Sequence, residues 1–175
     1  MILSLLQKRR SIRSFEPRPV EEEKIDVMIE ALLRSPSSKR RNPWEFVVVT
    51  DPAILTGLAS AKPRGGDFLN SAPLAIVICA DPEQCDVWIE DCSVAATILQ
   101  LTAEDLGLGS CWSQIRLRPH ESGGRASDYI RDLLELPEGL EVEAVIGIGY
   151  PAEVKNPHPK SSLQFDKVHG NRYGL

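Results

Sequence analysis

The chain has 175 residues, a size that suits one domain with a single core. Apolar residues make up 42% and charged residues 26%, the balance of a soluble globular protein; the apolar runs are short or carry acids, so no membrane span is expected. A net charge of −5 provides no broad positive field for nucleic acid, and any basic cluster is then local, suited to a small anion rather than a polymer.

Such a cluster opens the chain. Lys8-Arg9-Arg10-Ser11-Ile12-Arg13-Ser14-Phe15 follows a short apolar run, the reverse of the order in a signal peptide. Its guanidiniums offer planar forks of donors that match phosphate oxygens, and Ser11 adds a neutral donor. On a helical turn Arg9 and Arg13 would share a face. Pro17-Arg18-Pro19 breaks the path. A helix is predicted over 20–34, with Ile25, Met28, Ile29, Leu32 and Leu33 on one side and three acids in its first turn. Ser35-Pro36 ends it, because the residue before proline leaves the helical region.

A loop of hydroxyls, cations and an amide follows, Ser35 to Trp44. Residues 45–50 are β-branched and read as a strand. Asp51-Pro52 is an N-cap with proline at the first helical position, and predicts a helix to about Ala61. Residues 62–70, with Pro63, Gly65 and Gly66, read as a mobile loop. Residues 74–80 are apolar on both faces, so this strand should lie centrally in a sheet. The longest helix is predicted over 87–106 and has almost no polar stripe in its middle. One chain of this size cannot easily enclose such a helix, which argues for a subunit interface along part of it. Gly107-Leu108-Gly109 caps it. A short strand or extended turn over 110–114, a helix over 127–134 and a last strand over 141–150 complete the ordered part. The tail, 156–175, has little core pattern and needs something to dock on.

Cys79, Cys85, Cys92 and Cys111 form no CxxC pair and have no histidine at metal-ligand spacing, which suits a reduced, cytoplasmic protein. His120, His158 and His169 lie in polar, loop-like segments and are not read as catalytic. Helices and strands interleave, but no glycine-rich turn follows the first strand, which disfavours a dinucleotide-binding doubly wound fold.

Three pieces combine in order. Arg-Arg-Ser-x-Arg-x-Phe opens the chain. Ser-Pro-Ser-Ser leads into Asn-Pro-Trp-Glu-Phe and a valine-rich strand. The long helix ends in Leu-Gly-Leu-Gly-Ser-Cys-Trp, and the last strand in Gly-Ile-Gly-Tyr-Pro. Together these motifs resemble the FMN-dependent nitroreductase family over nearly the whole chain. The resemblance implies a single α+β domain (1–175) with a central, mostly antiparallel sheet flanked by helices. It implies an intertwined homodimer with two FMN sites at the subunit interface, and a tail (156–175) that docks on the partner.

Residue by residue, Arg9 and Ser11 match positions that hold the FMN phosphate. Arg13 matches the cation near flavin N1 and O2, and Arg10 a position that lines the flavin. Pro36, Ser37, Ser38 and Asn42 match the loop contributed by the other subunit. Arg40 stands where the family often has Asn, and Asn42 where it often has Gln. Ser113 and Gln114 match the turn past the flavin, with the backbone N–H of Gln114 as the partner of N5; Trp112 beside them reads as a core aromatic or a stacking partner of the flavin. Lys160 matches a late phosphate-binding cation. The Arg that often follows two residues on is Ser162 here, so the grip would lean on Arg9 and Arg172. Gly147 and Gly149 read as close-packing glycines of a strand.

The implied activity is an NAD(P)H-driven, ping-pong oxidoreductase that passes hydride through flavin N5 to nitroaromatics, quinones or similar small acceptors. The alternative is a flavin-binding storage or electron-transfer protein with little turnover of its own. The chain is short for the family, so only the 62–70 and 116–126 loops could form a lid.

Overall fold

The computed structural model describes residues 1–174; Leu175, the last residue of the predicted tail, lies outside them. Four strands form one sheet in the order β1 (Trp44–Val49), β2 (Leu74–Ala80), β4 (Glu141–Gly149), β3 (Gly109–Gln114). Every pairing is antiparallel. β2 is buried along its whole length and β4 along nearly all of it, as expected of central strands covered on both faces. β1 and β3 are the edges.

Helices cover both faces. On one, α4 (Trp88–Asp105) lays Cys92, Ala95, Ala96 and Leu99 against Ile76, Ile78, Ala144 and Ile146, with Met28 and Leu32 of α2 (Glu22–Leu33) joining from outside. On the other, α3 (Pro52–Ala59) and α5 (Ala126–Leu133) bring Leu55, Leu58 and Ile130 to Ala75, Val77 and Val145. Asp51 caps α3 as predicted, accepting from the amides of Ala53 (2.8 Å) and Ile54 (3.1 Å).

Several expectations shift. The first helix, α1 (Ile2–Lys8), ends before Arg9, whose backbone is extended, so Arg9 and Arg13 do not share a helical face. Residues 11 and 15 instead pair with the sheet end, Ser11 with Ser110 and Phe15 with Pro151. The 62–70 segment is not simply a surface loop: Phe68 and Leu69 are buried beneath β4, where a Cβ on Gly147 would meet Phe68 at 2.7 Å. The long helix is enclosed on one side only. Val94 and Thr97 are exposed, and Ile98 and Leu101 half-buried, on its other side.

Two segments find little cover in their own chain. α1 buries no residue, and Ile2, Leu3 and Leu6 are exposed. Residues 156–174 are exposed throughout, including Leu163, Phe165, Val168 and Tyr173.

Candidate functional site

Arg9 to Arg13 run along the free edge of β3. The Ile12 amide donates to the Ser110 carbonyl at 3.0 Å. This close approach requires Gly109, because a Cβ there would lie 2.8 Å from Ile12. The segment is held from the other side by the chain leaving β4. The Ala152 amide donates to the Ser14 carbonyl (2.9 Å), Lys155 Nζ to the Ser11 carbonyl (2.8 Å), and the Arg13 amide to Glu153 Oε1 (2.5 Å). The Arg13 amide, and after it Lys155 Nζ, which also lies 3.0 Å from Glu153 Oε1, hold the Glu153 carboxyl below its ordinary pKa.

The result is a cavity of about 280 Å³ lined by Arg9, Arg10, Ser11, Arg13, Lys155 and His158. Arg13 also lines a second cavity of about 430 Å³, walled by Gly65, Asp67, Phe68 and Asn70 of the 62–70 segment and by Ser71 just after it. Among the described residues, the guanidiniums of Arg9 and Arg13 have no hydrogen-bond or ion-pair partner. The guanidinium of Arg10 donates to the Asn156 carbonyl and ties down the start of the tail. Burial pushes the Cys111 thiol up, opposed in part by Arg13, Lys155, Lys62 and Arg9, so four cations surround this face of β3. Lys62 Nζ donates to the Gln114 carbonyl at 3.0 Å, and its burial, with Arg118 nearby, lowers its pKa.

The carbonyls of Ser110 and Gln114 both point out from the sheet edge. Antiparallel alternation therefore turns the Gln114 N–H outward as well. Ser113 Oγ is buried and has no partner among the described residues. Trp112 packs with the α4-side core and its Nε1 donates to Gln114 Oε1 at 2.9 Å; the indole does not line the cationic cavity. Lys160 stands in an exposed turn of the tail and does not line it either. Lys62 and Lys155 carry no signal of this position in the sequence, and His158, read there only as a loop histidine, joins the cavity wall.

Pro36, Ser37, Ser38 and Asn42 lie elsewhere. Their loop enters β1 at Trp44, which pairs with Ala80 at one end of β2; Ser110 pairs with Ile148, which pairs with Leu74 at the other end. β1 and β3 are also opposite edges. Six residues of strand and three strand spacings separate the two groups, a diagonal of about 25 Å. One chain does not bring them together.

The loop is tightly held. Ser37 Oγ lies 2.6 Å from Asn42 Oδ1 and accepts the Asn42 amide at 3.1 Å, and the Ser38 amide donates to Asp91 Oδ1 at 2.9 Å. Lys39, Arg40 and Asn42 have φ of 52°, 55° and 48°, a left-handed backbone that costs roughly 1–2 kcal/mol for a residue with a Cβ.

A family model described as the nitroreductase family matches residues 6–64 and 57–150. The chain belongs to the nitroreductase family. A solved structure described as an FMN-dependent nitroreductase from Clostridium difficile superposes with a TM-score of 0.95 at 48% identity, covering 98% of this chain and 99% of that one. A protein of Archaeoglobus fulgidus named for NADH dehydrogenase and NAD(P)H nitroreductase is 34% identical, covering 98% of each chain. The FMN reductase [NAD(P)H] of Bacillus subtilis is 26% identical over 98% of this chain and 75% of its own. The antiparallel sheet, flanked by helices on both faces, is the nitroreductase fold the sequence motifs imply.

Proposed function

We propose that this chain is an FMN-dependent oxidoreductase that takes reducing equivalents from NAD(P)H and delivers them to nitroaromatic, quinone or similar small acceptors, working as a homodimer. The observation that carries the reading is the pair of half-sites at diagonal corners of one sheet. A two-fold axis lets the Pro36–Asn42 loop of each chain meet the Arg9–Arg13 corner of the other. The exposed apolar residues of α1, the open side of α4 and the uncovered tail supply the surface for that union. The tail, 156–174, docks on the partner.

The residues fit FMN. Unpaired guanidiniums, the Ser11 hydroxyl and Lys155 form a donor set for a phosphate dianion, each charge-assisted bond contributing about 1.5–3 kcal/mol. Bound FMN supplies two-electron chemistry at its N5. Arg13, shared by both cavities, holds positive charge beside the ring edge. The outward Gln114 N–H is an orienting donor for N5, and Lys62 fixes the Gln114 carbonyl so that the amide keeps its direction. No histidine or other proton carrier is assigned. A cytoplasmic setting belongs to the same proposal, supported by four free, buried thiols.

The test is the visible spectrum of purified protein, before and after NADH or NADPH without oxygen. Bound yellow flavin that bleaches within seconds is expected. Flavin that stays oxidised would favour storage or partner-dependent electron transfer. Protein that takes up no added FMN would remove the cofactor assignments altogether.

A further inference from the structure

The loop that carries Ser37 and Asn42 also carries three consecutive cations, in a chain whose net charge is −5. One is neutralised: Arg41 Nη1 lies 3.1 Å from Asp86 Oδ1 and 3.8 Å from Cys85 Sγ. Lys39 and Arg40 are not. Both are exposed, and among the described residues neither side chain has a hydrogen-bond or ion-pair partner.

Their backbone is also unusual. Both sit in the left-handed region, as does Asn42. Such conformations persist only where the surroundings fix them, and they concentrate where a side chain must be presented in a particular direction. Here the fixing groups are evident. Ser37 and Asn42 clasp each other across the foot of the loop. Asp91, buried in the first turn of α4, holds the Ser38 amide with one oxygen and takes the Cys85 thiol at 3.5 Å with the other. A strained loop, anchored from inside by a buried acid, thus holds two free cations out from the molecule.

We propose that Lys39 and Arg40 form an anion-recognising rim of the substrate site, favouring substrates that carry a phosphate or carboxylate away from their reacting group. The inference rests on the dimeric, FMN-binding reading, in which this loop stands over the partner's flavin pocket. Two sources of that anion share the chemistry: the 2′-phosphate that distinguishes NADPH from NADH, and a carboxylate on the acceptor.

Calorimetric titration of the oxidised, FMN-loaded dimer separates them. The ligands are NADP⁺ against NAD⁺, and 4-nitrobenzoate against 4-nitrobenzamide. The wild type should bind the anionic member of at least one pair more tightly, and the responding pair names the source. Each exposed charge is worth about three-fold, so Lys39→Gln/Arg40→Gln should lower that preference by about ten-fold. Added salt should shrink it as well. Arg34→Gln, which removes a nearby charge already paired with Glu30, should leave it in place.

Equal affinities within both pairs in the wild type would overturn the proposal. So would a double variant that keeps the preference, or an Arg34→Gln protein that loses as much, since the effect would then be diffuse charge. A double variant that binds FMN less tightly while its preference persists would assign the cations to the cofactor instead. A wild-type chain that takes up no FMN would overturn the underlying reading, and this proposal with it.

Discussion

The two corners of the sheet are put together in opposite ways. The Arg9–Arg13 corner collects residues from four distant parts of the chain, and backbone bonds to β3 and to the segment after β4 hold it. Where it begins, at Arg9, the backbone is ordinary and extended. The Pro36–Asn42 corner is almost wholly local, a seven-residue loop in a strained conformation with Asp91 beneath it. The difference teaches that one corner is a socket formed by tertiary packing, complete within its chain, while the other is a projection that holds Lys39 and Arg40 out from its own chain.

The most forceful way to break this comparison is to prevent the corners from meeting. A chain ending at Lys155 removes the exposed tail but nothing buried in its own fold. Four exposed apolar tail residues, at about 1.5–3 kcal/mol each when buried, predict a dimer dissociation constant raised by roughly 10⁴-fold or more. Sedimentation velocity reads the shift, with unchanged far-UV circular dichroism. A truncated chain that stays dimeric at the same concentration would sink the docking role of the tail.

Next in size is Arg9→Ala, which empties one position of the socket. FMN affinity should fall by about 10- to 100-fold, the value of a charge-assisted hydrogen bond. Flavin fluorescence titration measures it, and the melting temperature of the apoprotein should not move. Wild-type affinity would take Arg9 out of the phosphate site.

Asp91→Ala attacks the other corner and should show the opposite profile. The Ser38 amide and Cys85 thiol lose a buried acceptor, costing about 1–3 kcal/mol in urea unfolding. If Arg9→Ala destabilises and Asp91→Ala does not, the socket and the projection have been assigned the wrong way round.

The smallest effect lies between them. Glu143 sits at the β4 bulge opposite Ile78 and Cys79, buried, with Oε2 unpartnered among the described residues and Oε1 accepting from Gln114 Nε2 at 3.2 Å. Burial raises its pKa above the ordinary carboxylate value. A raised folded pKa means that the native state binds the proton more tightly than the unfolded chain. The associated stability is present below the unfolded pKa and is lost as pH rises through the folded one. Glu143→Gln removes that loss, so it should stabilise the protein by about 1 kcal/mol at pH 8 and by progressively less as the pH falls into the acid range. Equal gains at both ends of that range would mean the carboxylate was never the cause.

Much of the sheet was legible in the sequence. The apolar run of 74–80 declared a central strand because both its faces had to be covered. The length and composition of α4 declared a helix needing cover on two sides, and the open side bearing Val94 fits that. The socket was half legible. Arg9, Ser11 and Arg13 announce themselves by local spacing, but Lys155 becomes a neighbour only through the Phe15–Pro151 bridge, and Lys62 only because Phe68 and Leu69 anchor their segment under β4. Spacing within an element predicts a shared face; it carries nothing about which loop returns to which edge. Asp91 leaves a signal in its spacing, four residues before Ala95 and eight before Leu99, which puts this acid on the buried face of the helix. Burying it requires donors, and the Ser38 amide is one.

The diagonal separation of the two corners also has a genetic meaning. When each site takes one corner from each chain, a chain damaged in its socket and a chain damaged in its loop are not equivalent cripples. Co-assembled, they place both lesions in one site and leave the other site wholly wild type. Two inactive alleles would therefore rescue each other, to at most half of normal activity per mixed dimer.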